Sequence, residues 1–117
     1  EFPAFYSRTS GLKLEARAES ASEVAAMIKT KWEMGLEGGV LIAAPIPEAA
    51  ALPASEIEAA IERALAAAEA QGVKGKAATP FLLAKVAEIT GGRSLKANVA
   101  LLENNARVAA EVARALV

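Results

Sequence analysis

Apolar and polar positions along this chain change their period several times, and each change marks the border of an element. Between Leu12 and Arg17 they alternate strictly, with Leu12, Leu14 and Ala16 on one side and Lys13, Glu15 and Arg17 on the other. A period of two puts successive side chains on opposite faces, so a strand is expected there. The period then lengthens. Val24, Met27, Ile28 and Trp32 recur at helical spacing and predict a helix that buries them. Ser20 followed by Glu23 fits a capping box, in which each side chain satisfies a backbone N–H that the first turn leaves free. Gly35 is the expected stop, because glycine tolerates the left-handed conformation that ends many helices. Next comes an unbroken apolar run, Val40 to Ala44, entered from Gly38-Gly39 and closed by Pro45-Ile46-Pro47. Such a run suits a strand covered on both faces, the usual state in a parallel sheet, and proline ends it because it cannot donate to the ladder.

The remainder reads as helix. From about Ala54 to Gln71 the stripe Ile57, Ile61, Ala64, Leu65 and Ala68 is expected to face the core, with Gly72 closing the helix. Thr79-Pro80 predicts a third helix, with Thr79 as N-cap and Pro80 in the first helical position, where a missing N–H costs nothing. It extends to about Thr90 and stops at Gly91-Gly92; Ser94 is expected to cap the last helix, Leu95 to about Leu116. The order is strand, helix, strand and three helices. Sheets usually hold about four to six strands, so the expectation is a layered α/β architecture whose further strands come from upstream sequence or from another chain.

Composition narrows the chemistry. The 117 residues are enough for one domain, and 54% apolar with 23% charged residues is the balance of a folded protein. Thirteen basic side chains against 14 acidic ones give a net charge of −1, and aromatics are 4%. No basic stripe emerges, so no nucleic-acid partner is expected. No apolar run reaches the roughly 20 residues needed to span a bilayer, so no membrane partner is expected either. There is no cysteine and no histidine, which excludes disulfides, the usual zinc sites, and Ser-His-Asp or Cys-His catalysis. All 14 acids are glutamates. The lysines (13, 29, 31, 74, 76, 85 and 96) fall on polar faces or in loops without an activating neighbour, and none is assigned to catalysis. The first residues, Glu1 to Arg8, have neither an initiator methionine nor a signal-peptide layout, which reads as a start within a longer protein.

Several segments together resemble the pseudouridine-5′-phosphate glycosidase family, also described as indigoidine synthase A-like. They are FPAFYSRTS at 2–10, KWE at 31–33, GGVLIAAPIP at 38–47, AEAQG at 68–72, KAATPFLLA at 76–84, AEITGGRSL at 87–95, Asn98, and NNA at 104–106. They run in family order along the chain, which by this resemblance forms the last two-fifths or so of such a protein. The resemblance implies a helix-rich C-terminal fragment of a layered α/β enzyme, with one or two strands and about four helices, residues 1–117 being part of a single catalytic domain. It implies reversible cleavage of the C–C glycosidic bond of pseudouridine 5′-phosphate to uracil and ribose 5-phosphate, in a cytoplasmic homotrimer. The family's imine-forming lysine, its carboxylate acid/base and the aspartate associated with Mn²⁺ all fall upstream of Glu1, so no catalytic residue, no metal ligand and no activity of its own are expected here. The rival reading is a self-sufficient, non-catalytic helical interaction module, which the lack of His, Cys and Asp favours and the segment-by-segment likeness opposes.

Three positions are candidates for substrate contact. Asn98 is where the resemblance places a substrate-contacting asparagine, and an amide suits a sugar hydroxyl or a uracil edge; the plain alternative is a structural asparagine. Asn104-Asn105 sit badly in a helix interior, since their amides compete with the backbone. One of the two, Asn105, is expected to bind ligand while its neighbour braces an interhelical contact. Thr79 opens a helix whose N-terminus suits a 5′-phosphate, against simple capping. Gly91-Gly92-Arg93-Ser94 suits an anion cradle less well than an interhelical turn, and Ser7-Arg8 suits packing or a subunit contact. One departure from the family pattern stands out: Ala44 replaces the usual asparagine before Pro45, and cannot bond through its side chain.

Overall fold

A computed structural model describes all 117 residues. It contains four helices: α1 (Ala21–Glu33), α2 (Ala54–Ala70), α3 (Ala78–Ile89) and α4 (Arg93–Leu116), with 3₁₀ turns at Glu48–Ala50 and Gly75–Ala77. The chain is helix-rich, as expected, but neither predicted strand is present. Residues 12–17 are irregular and largely exposed, and residues 40–44 make no backbone–backbone hydrogen bond. A strand exists only through its ladder; the 12–17 stretch has one backbone contact, the Phe2 N–H donating to Leu12 O at 2.7 Å, and residues 40–44 have none.

Local chemistry sets the helix ends where it can act alone. Ser20 accepts from the Glu23 N–H at 3.2 Å, while the Glu23 carboxylate accepts from the Glu19 N–H at 2.6 Å, one residue before the position a standard capping box uses. Gly35, with φ +69°, closes α1: its N–H donates to Trp32 O and that of Leu36 to Lys31 O, the double bond of a Schellman stop. Two expected caps differ. Thr79 lies within the first turn of α3, because the 3₁₀ turn at Gly75–Ala77 starts that helix early and makes Ala77 its N-cap. Ser94 lies inside α4, and Thr90 takes its place: the Thr90 hydroxyl donates to Val86 O at 2.8 Å and accepts from the Ser94 N–H at 3.2 Å. One side chain thus satisfies groups of both helices across the Gly91-Gly92 break.

The core consists of Tyr6, Ile46, Ile57, Ala60, Ala64, Val86, Ala97 and Leu101. Three are alanines, so α2 and α4 contribute small surfaces. In α2 the buried side is Ile57, Ala60, Ala64 and Ala68, while Ile61 and Leu65 stay 37% and 50% exposed. In α1 it is Ala25 and Ile28, with Met27 and Trp32 outside. α4 buries Ser94, Ala97, Leu101 and Val112 and leaves Leu95, Val99 and Leu102 exposed. Alanine faces allow close helix approach; the larger residues lie on sides that this chain does not cover. The surface area is 8195 Å², where a compact protein of 12.0 kDa has about 6000 Å². The radius of gyration is 17.2 Å against about 13 Å for a compact chain of this length.

Candidate functional site

The corner at Pro45-Ile46-Pro47 organises the region around α4. Its two prolines have no N–H, so its carbonyls are the groups that need partners once buried. Asn104 Nδ2 donates to Pro45 O at 3.1 Å, and Arg8 Nη1 donates to Ile46 O at 2.6 Å. Between them Ile46 is fully buried. Asn104 Oδ1 accepts from Arg107 Nη2 at 2.7 Å, and Arg107 Nη1 bonds Glu111 at 2.6 Å. Asn104 is therefore the bracing member of the asparagine pair, and Arg8 fills the packing role expected for Ser7-Arg8. Beside this clamp an open cleft of about 260 Å³ is lined by Pro47, Ala100, Glu103, Asn104 and Arg107.

Asn98 and Asn105 are left free. Seven residues separate them, which on an α-helix is nearly two whole turns, or about 10 Å along one side. Asn98 is half-buried and Asn105 exposed; unlike Asn104, neither makes a side-chain hydrogen bond. Leu95, Val99 and Leu102 surround them at 59%, 48% and 61% exposure. The face is an apolar stripe carrying two spare amides, each with two donors and an acceptor. Thr79 is exposed in the first turn of α3. It stands about 16 Å of helix before the Thr90 junction, and no hydrogen bond links it to the asparagines.

The other candidates are occupied. Arg93 Nη1 donates to Glu56 Oε2 at 3.1 Å and Nη2 pairs with Glu56 Oε1; the fork is closed on a carboxylate and unavailable to a phosphate. Ser94, 1% exposed, is buried beside the Tyr6 phenol. Burial raises the Tyr6 phenol above its ordinary 10.0, and the Ser94 side chain opposes that shift. Lys31 donates to three carbonyls, Lys85 pairs with Glu88, and Lys29 reaches Ala115 O. No three His, Cys, Asp or Glu side chains cluster closely enough to hold a metal ion. Ile46 and Thr90 are the anchors that pattern reading passes over; the twin prolines were the one available signal, since they mark carbonyls in need of donors.

Taken together, these features define a helical layer with a second, uncovered apolar side that carries polar contacts. The chain belongs to the family described as indigoidine synthase A like protein, whose model matches residues 1–115. It is 58% identical over 113 residues to a pseudouridine-5′-phosphate glycosidase of Caldanaerobacter subterraneus subsp. tengcongensis, covering 97% of this chain and 37% of that protein. Among solved structures it superposes with TM-score 0.82 and 31% identity on the prealnumycin C-glycosynthase AlnA in complex with ribulose 5-phosphate, covering 98% of this chain and 39% of the other. An indigoidine synthase A-like protein from Thermotoga maritima matches with TM-score 0.80 and 43% identity, over 97% of this chain and 37% of that one. The chain thus spans somewhat over a third of the length of the relatives it matches. No helix is long and apolar enough to cross a membrane.

Proposed function

We propose that this chain forms one wall of the substrate pocket in a pseudouridine-5′-phosphate glycosidase, which reversibly splits the C–C glycosidic bond to give uracil and ribose 5-phosphate. The observation that carries the proposal is the unbonded pair Asn98 and Asn105 on the apolar outer side of α4. When a further protein layer covers that side, both amides lose water and need partners. A sugar hydroxyl or the edge of uracil supplies them. Asn98 is the first contact and Asn105 the second, two turns further along. Thr79 is the third, on the first turn of α3, whose positive helix end favours the 5′-phosphate.

The chemistry assigns the remaining roles outside these residues. A C–C glycosidic bond has no leaving oxygen to protonate, so a paired-carboxylate route is of little use. An imine formed by a lysine on the opened sugar supplies an electron sink. The engaged lysines above are held by carbonyls or a carboxylate, and none has an activating neighbour. In this reading the imine-forming lysine and its acid/base partner come from the rest of a longer polypeptide. The residues here do not fit Mn²⁺, having no aspartate, no histidine and no acidic cluster, and no step of this proposal passes through it. The same reading makes the unpaired run Val40–Ala44 an inner strand of a layered α/β domain completed upstream, in a cytoplasmic homotrimer. The excess surface and the long radius of gyration support it against a self-sufficient interaction module.

The test is uracil release from pseudouridine 5′-phosphate. The full polypeptide carrying these residues is expected to turn over, and the 117-residue chain alone to be inactive. Robust turnover by the isolated chain, or none by the full polypeptide, overturns the proposal.

A further inference from the structure

We infer that Lys31 is a positioning residue: its ammonium fills a cradle of three successive backbone carbonyls and thereby sets the direction in which the Val40–Ala44 segment leaves α1. Nζ lies 2.7 Å from Leu36 O, 2.8 Å from Glu37 O and 2.8 Å from Gly38 O. An ammonium has three N–H groups and no acceptor, so this site uses all of its donors. The carbonyls belong to the loop just past the end of α1, where the helix dipole also favours a cation. The Lys31 carbonyl accepts from the Leu36 N–H at 3.1 Å, so one residue holds that loop from both its main chain and its side chain. Gly38 then turns with φ +93°, a conformation open to glycine.

The consequence lies further along the chain. Lys31 fixes the segment at Gly38, while Asn104 and Arg8 fix it at Pro45 and Ile46. Between these anchors residues 39–44 make no backbone–backbone hydrogen bond, and Val40, Leu41 and Ile42 are 47%, 87% and 41% exposed. A segment tethered at both ends has already lost much of its conformational freedom, so pairing with another strand costs less ordering entropy. Lys31 acts here through the loop and takes no part in bond making. This inference is independent of the substrate: it concerns how the segment is held.

The discriminating comparison is between compactness and charge. Arginine keeps the positive charge at the helix end, but its planar fork cannot converge on three consecutive carbonyls of one tight loop. In the full polypeptide, Lys31→Met and Lys31→Gln are expected to speed hydrogen exchange of the Leu36 amide, which is bonded to the Lys31 carbonyl, by about tenfold. Lys31→Arg is expected to give no rescue, and exchange in α2 and α3 should stay unchanged. In the unsubstituted protein, ¹⁵N-lysine labelling should show the Lys31 ammonium exchanging its protons more slowly than the exposed lysines. An ammonium that exchanges as fast as theirs, or full rescue by arginine, overturns the inference. The labelling experiment decides the matter even if a variant does not fold, and neither readout depends on glycosidase activity.

Discussion

Asn98 and Asn104 stand six residues apart on one helix, and truncating them should have opposite consequences. Asn104→Ala removes the donor to Pro45 O and the acceptor for Arg107. The first bond contributes about 1 kcal/mol net, and the Pro45 carbonyl left without it adds a partial desolvation cost. The second is discounted, because the Arg107 side chain is 62% exposed and solvent screens it. The gain in helix propensity from Asn to Ala offsets some tenths of a kcal/mol. A net loss of about 1–2 kcal/mol follows, or roughly 1.5–3 °C in Tm for a protein of the relatives' length. Asn98→Ala removes no bond within the chain and gains the same propensity, so Tm should hold steady or rise slightly. Losing one hydrogen bond to an uncharged substrate group should cut kcat/KM by about tenfold. The assay pairs thermal melts with uracil-release kinetics on the full polypeptide. The reasoning is refuted if Asn98→Ala lowers Tm as far as Asn104→Ala, or leaves kcat/KM unchanged.

Arg93→Ala should cost under about 1 kcal/mol, because the Glu56 pair is 54% and 34% exposed, and should leave KM unmoved; a marked rise in KM would reassign the fork to phosphate. Ala64→Leu forces a larger side chain into a position with 0% exposure and should lower stability by about 1–3 kcal/mol in denaturant titration. Because the Tyr6 phenol is raised in the folded state relative to 10.0, folding retains a proton there that the unfolded chain releases first. Its stabilisation is therefore complete below about pH 10 and is lost as pH rises through the folded value. Melts of Tyr6→Phe should lack that alkaline decline while showing the lost Ser94 contact at neutral pH.

Features that depend on a few neighbouring residues were legible in advance. Ser20 with Glu23, the Gly35 stop, the span of α2 and the Gly91-Gly92 break all follow from chemistry within one or two turns. The two caps that failed, Thr79 and Ser94, were displaced by an early 3₁₀ turn and by the Thr90 hydroxyl. Asn104-Asn105 announced itself as a pair out of place in a helix; which one braces depended on the distant Pro45 carbonyl. Asn104 braces a loop carbonyl rather than the interhelical contact expected, and Asn105 makes no side-chain hydrogen bond.

The sequence alone thus determined a helix-rich chain, its helix boundaries to within a residue or two, and the residues that resemble its family, because those rest on local hydrogen bonding and on residue identity. Only the tertiary structure decided which side of each two-sided helix is buried: small residues such as Ala60 and Ala64 permit close packing, leaving Ile61 and Leu65 outside. It alone placed Arg8, Asn104 and Lys31 around one loop, and it left Val40–Ala44 unpaired, since a strand needs a neighbour and none lies beside it in these 117 residues.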